Sequence, residues 1–393
     1  MHRQEAIQSR CSAIRRLAAL AVVTAASFYG CGGGSTDSAS AAATGACAVR
    51  SIEKLVQGNF YLSPDGSRYA ENRPDAGGIY QVYVGTTASG SAVCITCAQS
   101  PGGPKPGAQK FMVVWHPSGE WLFVGGEIDH VRSPFITAET DLALMQSGIN
   151  LDMYVTRPDG TAWTKLSDFK DSGYTGPAIA PDGSLYYAQI VDGNVFAYSF
   201  GRWVLKRSTF VVDAAGVPSL ANTTDLTPPD THWVEPGNVT PDGKYLVLTL
   251  DTGLAPNKAS GMDQWLLELA TGRFINLTSS PKEWDEHGLF SPNGKKIVFM
   301  SSKPYPDYDA STALFGLVGL KAEIMMMDVD GSNLVQLTHF GQTGYPESSP
   351  DSIASLAYFS ADGTKLYALQ FHTGARFPNQ DTWVLTFAGR CGS

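Results

Sequence analysis

The stretch Leu289-Phe-Ser-Pro-Asn-Gly294, followed by Lys295-Lys-Ile-Val-Phe-Met300, decides how the rest of the chain is read. Asn-Gly suits a tight turn, because both residues tolerate positive φ and Gly carries no Cβ. The β-branched and aromatic run behind it suits a strand, so the stretch predicts an antiparallel hairpin. The pattern recurs upstream in Phe60-Tyr-Leu-Ser-Pro-Asp-Gly66, Val114-Trp-His-Pro-Ser-Gly119, Ala178-Ile-Ala-Pro-Asp-Gly183 and Asn238-Val-Thr-Pro-Asp-Gly243. Downstream it returns as Tyr358-Phe-Ser-Ala-Asp-Gly363. The turn glycines stand 53, 64, 60, 51 and 69 residues apart. The aspartates and the asparagine in these turns are read as structural.

Each hairpin is trailed by an extended segment, a turn and a strand ending in Leu-Thr or something close. Examples are Ile324-Met-Met-Met-Asp-Val-Asp-Gly-Ser-Asn-Leu-Val-Gln-Leu-Thr338 and the endings Ile95-Thr96, Leu226-Thr227 and Leu277-Thr278. Four strands per repeat and six repeats predict an all-β protein, a six-bladed β-propeller of four-stranded antiparallel blades. The last repeat has no strand after Trp383–Phe387, while Val49–Val56 precedes the first repeat without a partner. The early segment is therefore expected to complete the last blade and close the ring. Cys47 and Cys391 flank these two segments, which would make them neighbours able to form a disulfide in an oxidising compartment.

The Ser-Pro-Asp-Gly-Lys-like hairpins with their Asp-Gly…Leu-Thr partners resemble the TolB-type propeller repeats of bacterial envelope proteins. The resemblance covers about 57–387 and implies the fold more than the function. The α/β domain that precedes the propeller in TolB has no counterpart here, as the tether described next leads almost directly into the first blade.

The chain has 393 residues, 43% of them hydrophobic, with a formal charge of −9. Four arginines against Glu5 put +3 in residues 1–30, leaving −12 for the remainder. With no Lys/Arg run after residue 30, that body repels a phosphate backbone, and nucleic acid is excluded as a partner. The basic start leads into an uncharged stretch of 14 residues, Leu17–Gly30, too short to span a bilayer comfortably. This describes a signal peptide over 1–30. Gly30-Cys31 followed by Gly-Gly-Gly-Ser resembles a bacterial lipobox, which implies lipidation of Cys31. Residues 31–46 read as a flexible Gly/Ser/Ala tether and 47–393 as the propeller. The expected address is the bacterial cell envelope, on the periplasmic or surface side. Gly32 after the cysteine resembles outer-membrane lipoproteins.

Gly-x-Ser-x-Gly, His-Glu-x-x-His and the phosphate-cradling Gly-x-x-x-x-Gly-Lys-Ser/Thr are absent from the sequence. Cys94-Ile-Thr-Cys97 leaves three readings open: a local disulfide, free thiols, or a redox or metal site. Laid on the repeat, His232, Trp233, Glu235, Trp284, Glu286 and His287 fall in loops entering inner strands. Glu127, Asp129, His130, Asp251, Lys303, Tyr305, His372 and Arg376 fall in loops after second strands. Both sets are expected to gather on one face around the central channel. The binding candidates are Glu127, Asp129, His130, His232, Glu235, Glu286, His287, Tyr305, His372 and Arg376, with His287 the first choice as a metal ligand. His116 and His339 are read as structural. Residues 127–151 and 301–322 insert about 20 residues each between strands, the length at which loops are usually functional or mobile.

The sequence thus points to a non-catalytic lipoprotein, needing no cofactor, whose propeller face binds an envelope protein or glycan. It would act as a monomer, touching the membrane through its lipid anchor alone. The alternative is a metal-dependent polysaccharide lyase or other glycan-active enzyme, with a divalent ion held near His287. The related oligogalacturonate lyases, which carry a His-rich metal site on a propeller, supply the analogy.

Overall fold

The computed structural model describes residues 43–129, 141, 144–169, 172–192, 201–251, 262–280, 282–308, 320–372 and 380–392. The signal segment, Cys31, most of the tether, His130 and Arg376 lie outside the described residues.

Among the described residues, twenty-four strands form six separate four-stranded antiparallel sheets, the six blades of a propeller. Blades 1–5 take four consecutive strands each, ordered from the channel outward. Their innermost strands are Tyr61–Leu62, Lys110–Trp115, Gly173–Ile179, Val234–Val239 and Asp285–Phe290. Blade 6 runs Ser352–Phe359, Lys365–His372 and Gln380–Phe387, and its outermost strand is Val49–Gln57 from the other end of the chain. Val49 pairs with Phe387, Ile52 with Leu385 and Lys54 with Trp383, so an N-terminal strand closes the ring. The zipper continues through Ala388 N–H to the Ala48 carbonyl (2.8 Å) and Gly389 N–H to the Ala46 carbonyl (3.0 Å). It ends in a Cys47–Cys391 disulfide with its Cα atoms 4.5 Å apart. A second disulfide joins Cys94 to Cys97 at the outer edge of blade 1.

The turns form for the reasons their residues suggest. In blade 1, Asp65 Oδ1 accepts the Ser63 hydroxyl (2.6 Å) and the Ser67 N–H (3.1 Å), with Gly66 at φ 70°. Asp242 and Asp362 repeat this with Thr240 and Ser360, and Asn293 does so with Ser291. The side-chain oxygen bridges the turn, which is why short acceptor residues recur there. Alternation along the strands buries one layer between blades, and the largest apolar cluster links blades 3 to 6. Trp203 and Trp233 meet edge-on across blades 3 and 4, with ring centroids 5.3 Å apart. Among the described residues, no helix is long and apolar enough to cross a membrane.

Candidate functional site

The innermost strands surround a cavity of about 480 Å³ in the central channel, within the size range of small-ligand sites. Tyr61, Phe111, Trp115, Tyr358 and Phe371 give it aromatic walls, and Asn59, Asn72, Gln146, Asn238 and Gln380 bring amides. Glu235 and His287 supply charge, and the described lining residues include no lysine or arginine.

A repeated distortion opens the inner strands toward this space. Blades 2 to 6 each carry a one-residue bulge there, between Phe111 and Val114, Thr175 and Ala178, Pro236 and Val239, Glu286 and Leu289, and Ala354 and Ala357. A bulge breaks the strict two-residue alternation and re-aims the side chain at the extra position. His287 occupies that position in blade 5, at φ 61°, a left-handed conformation uncommon for residues other than glycine. Close approach of blades 4 and 5 depends on a missing side chain: a Cβ on Gly237 would lie 1.9 Å from the Gly288 carbonyl oxygen.

Two carboxylates converge on the His287 ring. Its Nε2 lies 3.4 Å from Glu235 Oε2 and 3.9 Å from Glu286 Oε2. Neither contact is a hydrogen bond, for Glu235 Oε2 is buried with no hydrogen-bond partner and 3.9 Å is too long. The other ring nitrogen, Nδ1, is 3.3 Å from the Ser355 carbonyl. A carbonyl only accepts, so Nδ1 carries the proton and Nε2 is the atom turned to the carboxylates. Thr175 Oγ1 donates to Glu235 Oε1 at 3.2 Å, and Trp284 Nε1 donates to Glu286 Oε2 at 2.9 Å. Burial pushes the Glu235 carboxyl up to about 7, and Glu286 pushes the same way against the pull of His287. For His287 burial works downward, but Glu235 and Glu286 outweigh it and raise its affinity for a proton. Next in the strand, Asp285 is also raised to about 7 by burial, and it accepts the Ser280 hydroxyl at 2.8 Å. The group can hold a proton or a cation between two acids and an imidazole.

Glu235, Glu286 and His287 were expected in loops entering the inner strands. They lie instead within the strands Val234–Val239 and Asp285–Phe290, with Glu235 and His287 on the cavity lining. The other described candidates do not join them. Glu127 ends a strand and accepts the Gln109 N–H at 2.7 Å, while Asp129 is exposed and pairs with Lys105 at 2.7 Å. His232 and Trp233 donate their backbone N–H groups to Asp251, and the His232 ring is 3.8 Å from that carboxylate. His372 Nε2 meets Asp381 at 2.8 Å, and Asp381 also binds Lys54 at 2.7 Å, tying together three strands of the closing blade. Tyr305 donates to buried Glu323 inside its own blade. Of the long 127–151 insert, Gln146 lines the cavity. A ring of histidines from several blades therefore does not form among the described residues. His116 lies tilted against Phe210 and His339 stacks on Tyr345, both structural contacts.

Several solved structures are similar to this chain. A TolB protein of Agrobacterium tumefaciens matches at 17% identity and TM-score 0.46, over 72% of this chain and 81% of that one. TolB of Acinetobacter baumannii matches at 16% and 0.47, over 84% and 65%. The chain thus spans just under two thirds of the Acinetobacter protein. An oligogalacturonate lyase in complex with manganese matches at 13% and 0.47, over 86% and 93%. The likeness is one of fold. No family model and no curated protein matches the sequence.

Sequence reading missed Thr175, Tyr358, Phe371 and Gln380 as channel residues. One signal was present: Thr175, Glu235 and Glu286 each stand eight positions ahead of a turn glycine, Gly183, Gly243 and Gly294. Aligning the repeats on that glycine puts Phe111 and Ser355 at the same level, and all five line or adjoin the channel site.

Proposed function

We propose that this chain is a non-catalytic, lipid-anchored envelope propeller that binds a neutral glycan, or the glycan part of an envelope partner, in its channel. The observation that carries the reading is a set of polar atoms on the lining. Glu235 Oε2, Tyr358 Oη and Gln380 Oε1 are shielded from water and have no hydrogen-bond partner in the protein. Each such group costs about 1–3 kcal/mol while unpaired, and the terminal torsions of Glu and Gln turn easily. Sugar hydroxyls would pair with them, while the apolar faces of sugar rings would lie on Phe371, Trp115 and the tyrosines. While no metal ion is bound, a lining with Glu235 and no described lysine or arginine disfavours uronates and other anionic glycans. The Gly30-Cys31 junction and the tether support display from a membrane surface.

Calorimetric titration of chelator-stripped protein with neutral chito- and gluco-oligosaccharides, and with oligogalacturonate as the anionic control, tests the reading. A neutral ligand is expected to bind, at least tenfold more weakly to Phe371→Ala, and the anionic one not to bind. Failure of every neutral oligosaccharide, or binding indifferent to Phe371→Ala, would sink it.

The second reading is a glycan-active enzyme, favoured by the acid–imidazole group itself. Glu235 and Glu286 bring oxygens within 4.8 Å of each other. A bound oligosaccharide recovered intact after long incubation supports the binding reading, and one recovered cleaved supports the enzyme.

A further inference from the structure

We propose that Glu235, Glu286 and His287 together form a site for one divalent transition ion, such as Zn²⁺ or Mn²⁺, on the channel wall. One atom from each residue lies within 4.8 Å of the others. The Nε2 to Oε2 spacings of 3.4 and 3.9 Å are too long or too poorly directed for hydrogen bonds. The first matches an edge of a coordination polyhedron, for a tetrahedral centre with bonds of about 2.1 Å has edges of about 3.4 Å, and the second lies about half an ångström beyond it.

The surroundings prepare each donor. Nδ1 of His287 is committed to the Ser355 carbonyl, which leaves the Nε2 lone pair to coordinate; metal-binding histidines are oriented in this way. Thr175 donates to Glu235 Oε1 and leaves Oε2 turned to the ring, while Trp284 fixes Glu286 through Oε2, the oxygen that itself lies 3.9 Å from Nε2. Glu286 is 8% exposed, and Glu235 Oε2 is buried and unpartnered, so two negative groups are held where water compensates them poorly. A dication neutralises both. Three protein donors leave coordination positions open toward the cavity that Glu235 and His287 line, the arrangement of a metal that also meets a ligand. The imidazole nitrogen selects transition ions over Ca²⁺ and Mg²⁺, which prefer oxygen. The inference goes beyond glycan binding and does not depend on it.

The test is metal analysis of purified protein, stripped with chelator and dialysed against Zn²⁺ or Mn²⁺, with affinity measured by titration. The wild-type protein is expected to hold one equivalent per chain that an equal concentration of Ca²⁺ does not displace. Glu235→Gln and His287→Gly are each expected to weaken binding at least 100-fold. Glycine suits φ 61° at position 287, and an unchanged unfolding temperature in either variant shows that the fold is kept. In the Mn²⁺ form, nitrogen coupling in the electron paramagnetic resonance spectrum is expected for wild type and lost in His287→Gly. Natively folded wild type that takes up no ion overturns the proposal. So does metal retained unchanged in both variants, or equal displacement by Ca²⁺.

Discussion

Replacing both Cys47 and Cys391 with alanine is expected to lower Tm by about 4–7 °C. The bond joins residues 344 apart in sequence. Cross-linking so long a loop removes conformations mainly from the unfolded chain, and the chain-entropy relation gives about 6 kcal/mol as a ceiling. Disulfides commonly deliver somewhat less, so about 3–5 kcal/mol is the working figure. A body of roughly 345 residues unfolds with an entropy near 0.7 kcal/mol/K, so each kcal/mol moves Tm by about 1.4 °C. Calorimetry at slow scan rate, with urea unfolding as a second measure, reads the effect. Reduced wild type should fall at least as far as the double variant, because reduction also opens Cys94–Cys97. Cys94 and Cys97 close a loop of only a few residues, so their double alanine variant should lose less than about 2 kcal/mol. A drop below 1 °C for Cys47→Ala/Cys391→Ala would refute the reasoning. It would mean that pairing of Val49–Gln57 with Gln380–Phe387 closes the ring with no help from the covalent link.

Other consequences concern the channel and the turns. Gly237→Ala, whose Cβ would meet a backbone oxygen at 1.9 Å, is expected to cost about 3 kcal/mol in urea unfolding and to weaken any ligand held between blades 4 and 5. Asp65, Asp242 and Asp362 are held down to about 2, chiefly by hydrogen bonds from Ser63, Lys244 and Ser360 respectively. Their folded values lie below the unfolded ones, so their contribution is present above about pH 4 and lost as pH falls toward 2. The urea midpoint of the triple alanine variant should therefore lie below wild type at pH 7, with the gap closing by pH 2. Thr175→Val removes the donor to Glu235 while keeping the side-chain volume. It is expected to weaken Zn²⁺ or Mn²⁺ about tenfold without changing the stoichiometry of one, as read by calorimetric titration.

The architecture is legible in the sequence because it is written six times. Asp-Gly and Asn-Gly turns are local chemistry, and repetition converts six local signals into a global one. Ring closure was legible too, since Val49–Val56 and the end of the last repeat each lacked what the other supplies. The site was only partly legible. Glu286 and His287 are adjacent, and alternation in a regular strand would send their side chains to opposite faces. The bulge between Glu286 and Leu289 lets both approach Glu235 of the neighbouring blade. No pattern within one repeat reveals that encounter, because it depends on how two blades pack across Gly237 and Gly288. His232 and His372, equally plausible by residue type, are taken up by Asp251 and Asp381 at the blade ends.

Crystals of the protein soaked with a neutral oligosaccharide shown to bind in solution give the most direct test. The account predicts sugar density inside the channel, against Phe371 and Tyr358, with hydroxyls within hydrogen-bonding distance of Glu235 and Gln380. Density confined to the outer strands or to the rim, with the channel left clear at saturating ligand, would contradict it.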